Sequence, residues 1–225
     1  MSGRALVAIL DSGIHAEHPH VMGVKAGFNA TGVGEEGEWM DRMGHGTAVA
    51  GAIRSLAPEA ELLAVKIFEG GLRTNLDVIL RGVEWALEQG ADLINLSLGT
   101  TSAAHAGQLA EWVQRGGIWV SAASANGAEA YPGVLPGVIG IEVDATLERE
   151  ERREIAEMRF AASPYPREIP GVSRERNLQG ISFAVANVTG LLAGNWSDLV
   201  TRDAVGAADW LRRGSNNAVR ASFGT

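Results

Sequence analysis

Three residues of this chain have the types and settings needed for acyl-transfer chemistry. Asp11 closes the apolar stretch Ala5 to Leu10 and runs into Ser12-Gly13. In parallel α/β folds, sites assemble at the carboxyl ends of strands. Taken alone, an Asp-Ser-Gly reads as a turn whose carboxylate bonds nearby amides. His45 lies in Gly44-His45-Gly46-Thr47, followed by Ala48-Val49-Ala50-Gly51. A lone histidine is more often a surface or capping residue, but the flanking glycines argue for close approach of another backbone or a ligand. Ser182, in Gly180-Ile181-Ser182-Phe183-Ala184, heads a helix of small residues. Its hydroxyl would sit near unpaired amides and the positive end of the helix dipole. A plain N-cap serine would occupy the same place. Position alone leaves both readings open for each residue. The three together, in the chain order acid, histidine, serine, offer an orienting carboxylate, a general base and a hydroxyl nucleophile.

The elements that must position them alternate along the chain, apolar β-rich runs with helical patterns, which predicts a parallel sheet covered on both faces. Strands are expected at Ala5 to Leu10, Leu62 to Phe68, Asp92 to Ser97, Gly117 to Ala122 and Val138 to Val143. Helices are expected at His45 to Leu56, Leu76 to Gln89 and Ala103 to Gln114. Two more are expected at Ser182 to about Leu192 and Thr201 to Arg213. Val78, Ile79, Val83, Trp85 and Leu87 recur near helical spacing in the second helix, and Gly90 supplies its stop. The charge run Thr146 to Glu157 reads as a solvated surface helix. The stretch Ser215 to Thr225 has weak periodicity and is expected to be loosely held.

The motifs and their order resemble the subtilase family of serine peptidases. Ile9-Leu10-Asp11-Ser12-Gly13-Ile14, continued by His18-Pro19, is similar to the family's aspartate motif. Gly44-His45-Gly46-Thr47 to Gly51 is similar to its histidine motif, and Gly180 to Gly190 to its serine motif. Ala64-Val65-Lys66, Glu84-Trp85-Ala86 and Ile94-Asn95-Leu96-Ser97-Leu98-Gly99 resemble its second strand, the following helix and its substrate-binding strand. The order Asp, His, Ser along the chain is also that of the family's triad.

The resemblance implies an α/β, subtilisin-like three-layer fold with a mainly parallel central sheet. Residues 1–225 are expected to form a single peptidase domain without a prodomain. It implies a serine endopeptidase with Asp11, His45 and Ser182 as catalytic residues, and an oxyanion hole made by the Ser182 amide and the Asn126 side chain. Without the resemblance, Asn126-Gly127 reads simply as a turn. A peptide or protein substrate would lie extended in a cleft, pairing with Ser97 to Gly99 and with the chain near Gly70 to Leu72. The primary specificity pocket would be walled by Leu98, Gly99, Ala123 to Asn126 and Ala130 to Gly133. Ala125, where the family usually has glycine, would narrow it. Leu76 and Ile79 would line a second, hydrophobic pocket.

The chain also departs from the family pattern. Its serine motif reads Ser182-Phe183-Ala184-Val185-Ala186-Asn187, without the usual proline, a change a helix interior tolerates. Ala57-Pro58 leads almost directly to the next strand and leaves out the loop that binds structural calcium in secreted relatives. No metal and no cofactor are therefore expected. His15, His18 and His20 stand at near-alternate spacing that invites a metal reading, yet family position already accounts for His18. A partner protein or leader peptide would take the place of a prodomain. The alternative to an active, precursor-processing protease is a catalytically silent binding partner or pseudoprotease. Ester hydrolysis or peptide ligation is a third reading, since an acyl-enzyme is resolved by any nucleophile that reaches it.

Composition sets the outer bounds. The 225 residues, 46% hydrophobic and 20% charged, can bury a full core. A formal charge of −8, from 27 acidic against 19 basic residues, argues against a nucleic-acid partner. The absence of cysteine excludes disulfides, thiolate zinc sites and a cysteine nucleophile. No apolar run is long enough for a membrane span, and no signal peptide is seen, so the expectation is a cytoplasmic protein without membrane contact, or a secreted one if the chain is trimmed.

Overall fold

The computed structural model describes residues 3–34 and 37–221. In chain order the elements are β1 (Leu6–Asp11), β2 (Ala26–Asn29), α1 (His45–Leu56), β3 (Glu61–Lys66), α2 (Leu76–Glu88), β4 (Leu93–Leu96) and α3 (Ala106–Val113). The hairpin strands β6 (Ser124–Ala125) and β7 (Ala128–Glu129) follow β5 (Ile118–Ala122). The chain ends with β8 (Val138–Val143), β9 (Arg152–Ala156), β10 (Arg159–Ala162), α4 (Ile181–Gly194) and α5 (Ala204–Ala221).

Eight strands form one sheet in the order β2-β3-β1-β4-β5-β8-β10-β9, parallel throughout except for the pairing of β9 with β10. The alternation of the strand places its side chains on two faces. In β1, Val7 and Ile9 enter a core with α1 and α4, while Leu6, Ala8 and Leu10 enter a second core with α2. Every residue of β1 is buried as a result, which is why the strand reads as a continuous apolar run.

The strand order explains where a site can form. From β1 the chain crosses through α1 to β3 on one side, then through α2 to β4 on the other side of β1. Right-handed crossovers in opposite directions put α1 and α2 on opposite faces. The carboxyl ends of β1 and β4 thus flank the point where the order reverses, and a crevice opens there. Asp11 ends β1, and Ser97 follows β4.

α4 is buried on nearly all sides, and its small residues let it approach α1. A Cβ at Gly190 would lie 3.0 Å from that of Leu56 and 3.2 Å from the Ile53 carbonyl oxygen, and one at Gly194 would lie 2.4 Å from the Leu56 carbonyl oxygen. Only hydrogen at these positions permits the contact.

The segment Thr146 to Glu157 is not the surface helix its charge density suggests. Arg152–Ala156 is the antiparallel edge strand β9. Its alternation is hidden because the inward-leaning side chains are themselves charged. The Arg152 guanidinium lies over the Trp210 ring, and Arg212 of α5 grips Glu154. Charges on an edge strand also discourage pairing with another chain. The short strands β2 and β10 carry too few residues to announce themselves. The expected helix at Ala103 begins as a 3₁₀ turn over Ala103–His105 before α3, and the last helix runs on from Arg213 to Ala221. Residues 222–225 lie outside the described residues. No helix among the described residues is long and apolar enough to cross a membrane.

Candidate active site

Asp11 is fully buried at the carboxyl end of β1. Its Oδ1 accepts the Ser12 N–H at 2.7 Å and lies 2.7 Å from His45 Nδ1. Its Oδ2 is buried and has no hydrogen-bond partner among the described residues. This contact fixes the imidazole with Nδ1 carrying the proton and Nε2 left as the basic nitrogen. Burial pulls the His45 pKa down, but the hydrogen bond and charge of Asp11, with Asp41 adding to them, outweigh it and hold the ring above the ordinary 6.5.

His45 opens α1, whose N-cap is Gly44 at φ 83°. A glycine cap has no side chain to satisfy the first-turn amides, so an acceptor must come from elsewhere. It comes from Asp41. One carboxylate oxygen accepts the Met43 and Gly44 amides at 2.8 and 2.9 Å and the Ser12 hydroxyl at 2.9 Å. The other accepts the Thr47 amide at 2.9 Å and its hydroxyl at 2.6 Å. Ser12 Oγ in turn accepts the Gly46 N–H at 2.9 Å, and Thr47 Oγ1 accepts the His15 N–H at 3.0 Å. Burial raises the Asp41 pKa, but the bonds from Thr47, Met43 and Gly44 lower it further, to a net value below the usual 3.8. Asp41 thereby ties the loop after Asp11 to the helix that carries His45. The sequence reading misses this residue; the signal for it is an acid three positions before a glycine cap.

Ser182 is the second residue of α4, so its N–H lies among the first-turn amides without a carbonyl one turn back. The packing of α4 on α1 brings its start to the start of α1. Gly190 stands eight residues after Ser182 and meets Ile53, eight residues after His45. The two helices run side by side in the same sense, and the Phe183 ring centroid lies 6.0 Å from that of His45. The Ser182 hydroxyl donates to the Ser97 carbonyl at 3.3 Å, and Ser97 Oγ faces the Ser182 carbonyl at 3.4 Å. No hydrogen bond joins Ser182 to His45 among the described residues. A buried chain of bonds, Thr189 Oγ1 to Asn95 Oδ1 at 2.9 Å and Asn95 Nδ2 to Ser97 Oγ at 2.9 Å, anchors this strand end to α4.

Asn126 and Gly127 form the two-residue turn between β6 and β7, with φ 53° and 79°. Positive φ at both positions is what a tight hairpin of this twist requires, and Asn-Gly meets it. The Asn126 side chain is exposed and makes no hydrogen bond among the described residues. Ala123 is fully buried behind this hairpin, its amide bonded to Ile141 and its carbonyl to Ala130, and Ala125 is half-buried in β6. Leu98, Gly99, Leu76 and Ile79 line one cavity of about 490 Å³ that reaches the chain on both sides of Ser97, at Leu96 and Leu98. Gly99 is needed there, since a Cβ would come within 2.8 Å of that of Ala130.

His15, His18 and His20 line a separate hollow beside α1. His18 Nδ1 accepts the His20 amide at 3.2 Å, and the two rings meet edge to face at 4.9 Å. Among the described residues no group of three or more histidine or acidic side chains is placed to hold a metal ion.

Comparison with known proteins agrees with this fold. The Subtilase family model matches residues 3–153, a span that holds Asp11, His45 and Asn126 and ends before Ser182. The chain is 33% identical over 216 residues to a thermostable alkaline protease of Halalkalibacterium halodurans, a match covering 84% of this chain and 56% of that protein. It is 30% identical over 203 residues to subtilisin E of Bacillus subtilis, covering 82% of this chain and 51% of that protein. The chain thus spans about half the length of these relatives. Among solved structures, a cold-adapted subtilisin-like serine proteinase superposes with a TM-score of 0.73 at 19% identity, covering 94% of this chain and 82% of that one. Sphericase superposes at 0.69 with 22% identity, covering 94% and 83%. With the sequence match and the fold in agreement, the chain belongs to the subtilase family.

Proposed function

We propose that this chain is a serine endopeptidase that cleaves peptide bonds through an acyl-enzyme. The observation that carries the proposal is the contact of buried Asp11 with half-buried His45 at the head of a helix packed side by side with the helix that Ser182 opens. A serine hydroxyl is a poor nucleophile at neutral pH and needs a base. His45 Nε2 takes the Ser182 proton as Oγ attacks the carbonyl carbon, and Asp11 stabilises the imidazolium that results. The developing oxyanion is met by the Ser182 amide and the Asn126 side-chain N–H. His45 then returns the proton to the leaving amine as the C–N bond breaks. Water, deprotonated by the same ring, cleaves the ester and restores Ser182. Substrate lies extended along Ser97 to Gly99, where the backbone leaves the sheet; the Leu98 carbonyl already accepts the Ser121 hydroxyl, which leaves Gly99 to pair with a peptide.

One observation favours a second reading, that of a catalytically silent binding partner. The Ser182 hydroxyl is directed to the Ser97 carbonyl and not to His45. Catalytic hydrogen bonds are often long or unformed before substrate binds, so the endopeptidase reading is preferred. Incubation with a fluorophosphonate probe followed by mass mapping separates the two. Labelling of Ser182 that is lost in His45→Ala supports the protease, and a folded protein that resists labelling overturns it.

A further inference from the structure

The cavity beyond Ser97 has an apolar floor and a rim on which the one charged side chain is that of Arg73. Its floor is built by Ile79, Leu96, Leu98 and Leu109, of which Leu96 is fully buried. At its mouth stand Arg73, from the loop before α2, and His105, from the turn before α3, both exposed. The lining holds no acidic side chain. The Arg73 guanidinium makes no ion pair or side-chain hydrogen bond among the described residues. Of the two acids four residues away, Glu69 is paired with Lys66 at 2.6 Å, and Asp77 makes no ion pair with Arg73 among the described residues. Arg73 thus stands unpaired at the edge of a depression lined by Leu98, the residue after the Ser97 whose carbonyl accepts the Ser182 hydroxyl.

We infer that this cavity selects an acidic side chain on the amino-terminal side of the cleaved bond, with Arg73 as the residue that reads its charge. A glutamate suits both parts of the cavity, because its methylene stem covers apolar floor while its carboxylate reaches the rim. Arginine presents a planar fork that a carboxylate can meet with two hydrogen bonds. A lysine in the same place would bring a second positive charge against Arg73, so discrimination comes from repulsion as well as attraction. A glutamine keeps the length of the stem and loses only the charge. The inference rests on the proposed binding of an extended peptide along Ser97 to Gly99, but it does not require that Ser182 be catalytic.

The test uses the full chain carrying Ser182→Ala, so that peptides bind without being cleaved. Octapeptides of alanine and leucine, with Glu, Gln or Lys placed in turn at each of the first four positions, are titrated and followed by amide NMR shifts. At one position the glutamate peptide should bind about tenfold more tightly than the lysine peptide, with glutamine between them and with shifts at Leu98 and Gly99. Arg73→Glu should reverse the order, and Arg73→Gln should remove most of the difference. Equal affinities at every position, no binding of any peptide, or an order unchanged in Arg73→Glu would each overturn the inference. Failure of the protease reading is seen separately, as absent probe labelling of Ser182 in the parent chain.

Discussion

Gly46 of α1 meets the carbonyl of Gly13 with no room for a side chain, since a Cβ at position 46 would lie 2.1 Å from that oxygen and 3.2 Å from Asp11 Oδ1. The contact sets how closely the helix bearing His45 approaches the strand bearing Asp11. Gly46→Ala must push the two apart. Overpacking of this kind costs about 1–3 kcal/mol, or several degrees in the melting temperature of a domain this size. A displacement near 1 Å at a catalytic pair costs about 100-fold in rate. Calorimetry together with the rate of fluorophosphonate labelling checks both, and labelling at the parent rate would show that the spacing does not matter.

The Asp11–His45 contact predicts the pH dependence of the reaction. In the proposed mechanism His45 must be neutral to accept the Ser182 proton, and its pKa is raised above 6.5. The rising limb of kcat/KM should therefore have its midpoint above 6.5. Asp11→Asn removes the hydrogen-bonded charge that raises it, so the midpoint moves down while turnover falls by about 10⁴-fold, the size known for the equivalent substitution in another Asp-His-Ser protease. The same linkage stabilises the fold only at low pH: the contribution is complete below 6.5 and is lost as pH rises through the folded value. A pH–rate profile of both proteins on one peptide substrate decides the point; a midpoint below 6.5 in the parent would contradict it.

Asp41 makes a prediction of the opposite sign. Its folded pKa is lowered, so its contribution is present above 3.8 and is lost as pH falls through the folded value. Asp41→Asn keeps the shape but not the charge, and hydrogen bonds to charged groups contribute about 1.5–3 kcal/mol each. The variant should melt several degrees lower at pH 7, and its melting temperature should fall less steeply than the parent's below pH 4. Because Asp41 also helps to raise the His45 pKa, the activity limb should shift to lower pH. A purely structural role for Asp41 would leave that limb in place.

What the sequence made legible follows from how each feature is encoded. β1 is readable because burial on both faces demands an unbroken apolar run, and α2 because its apolar positions recur at helical spacing and Gly90 stops it. Asp11, His45 and Ser182 are readable as a set through their order and flanking glycines, although each alone fits a turn or a cap. β9 is not readable, because an edge strand whose inward side chains are arginine and glutamate lacks the alternation that marks a strand. Asp41 is hidden because its role depends on knowing that Gly44, and not a serine or aspartate, caps α1. Arg73 gains meaning only when the cavity beside it is seen to lack an acid.

Asn126 gives the last prediction, in which stability and rate are expected to part. It sits at the exposed tip of the β6–β7 hairpin at φ 53°, a conformation that glycine adopts without cost. Asn126→Gly should therefore leave the melting temperature unchanged or slightly higher, because Gly-Gly also suits this turn. The substitution removes the one side-chain donor assigned to the oxyanion. Loss of the corresponding donor in subtilisin itself lowers turnover about 100-fold to 1,000-fold, and the same fall in kcat with little change in KM is expected here. In the proposed binding mode substrate is held by the backbone at Ser97 to Gly99, not by this amide, so KM should not follow kcat. Steady-state kinetics beside a thermal melt tests the separation: parent-like turnover in a folded Asn126→Gly protein would remove Asn126 from the oxyanion hole and return it to the simple turn that its sequence also spells.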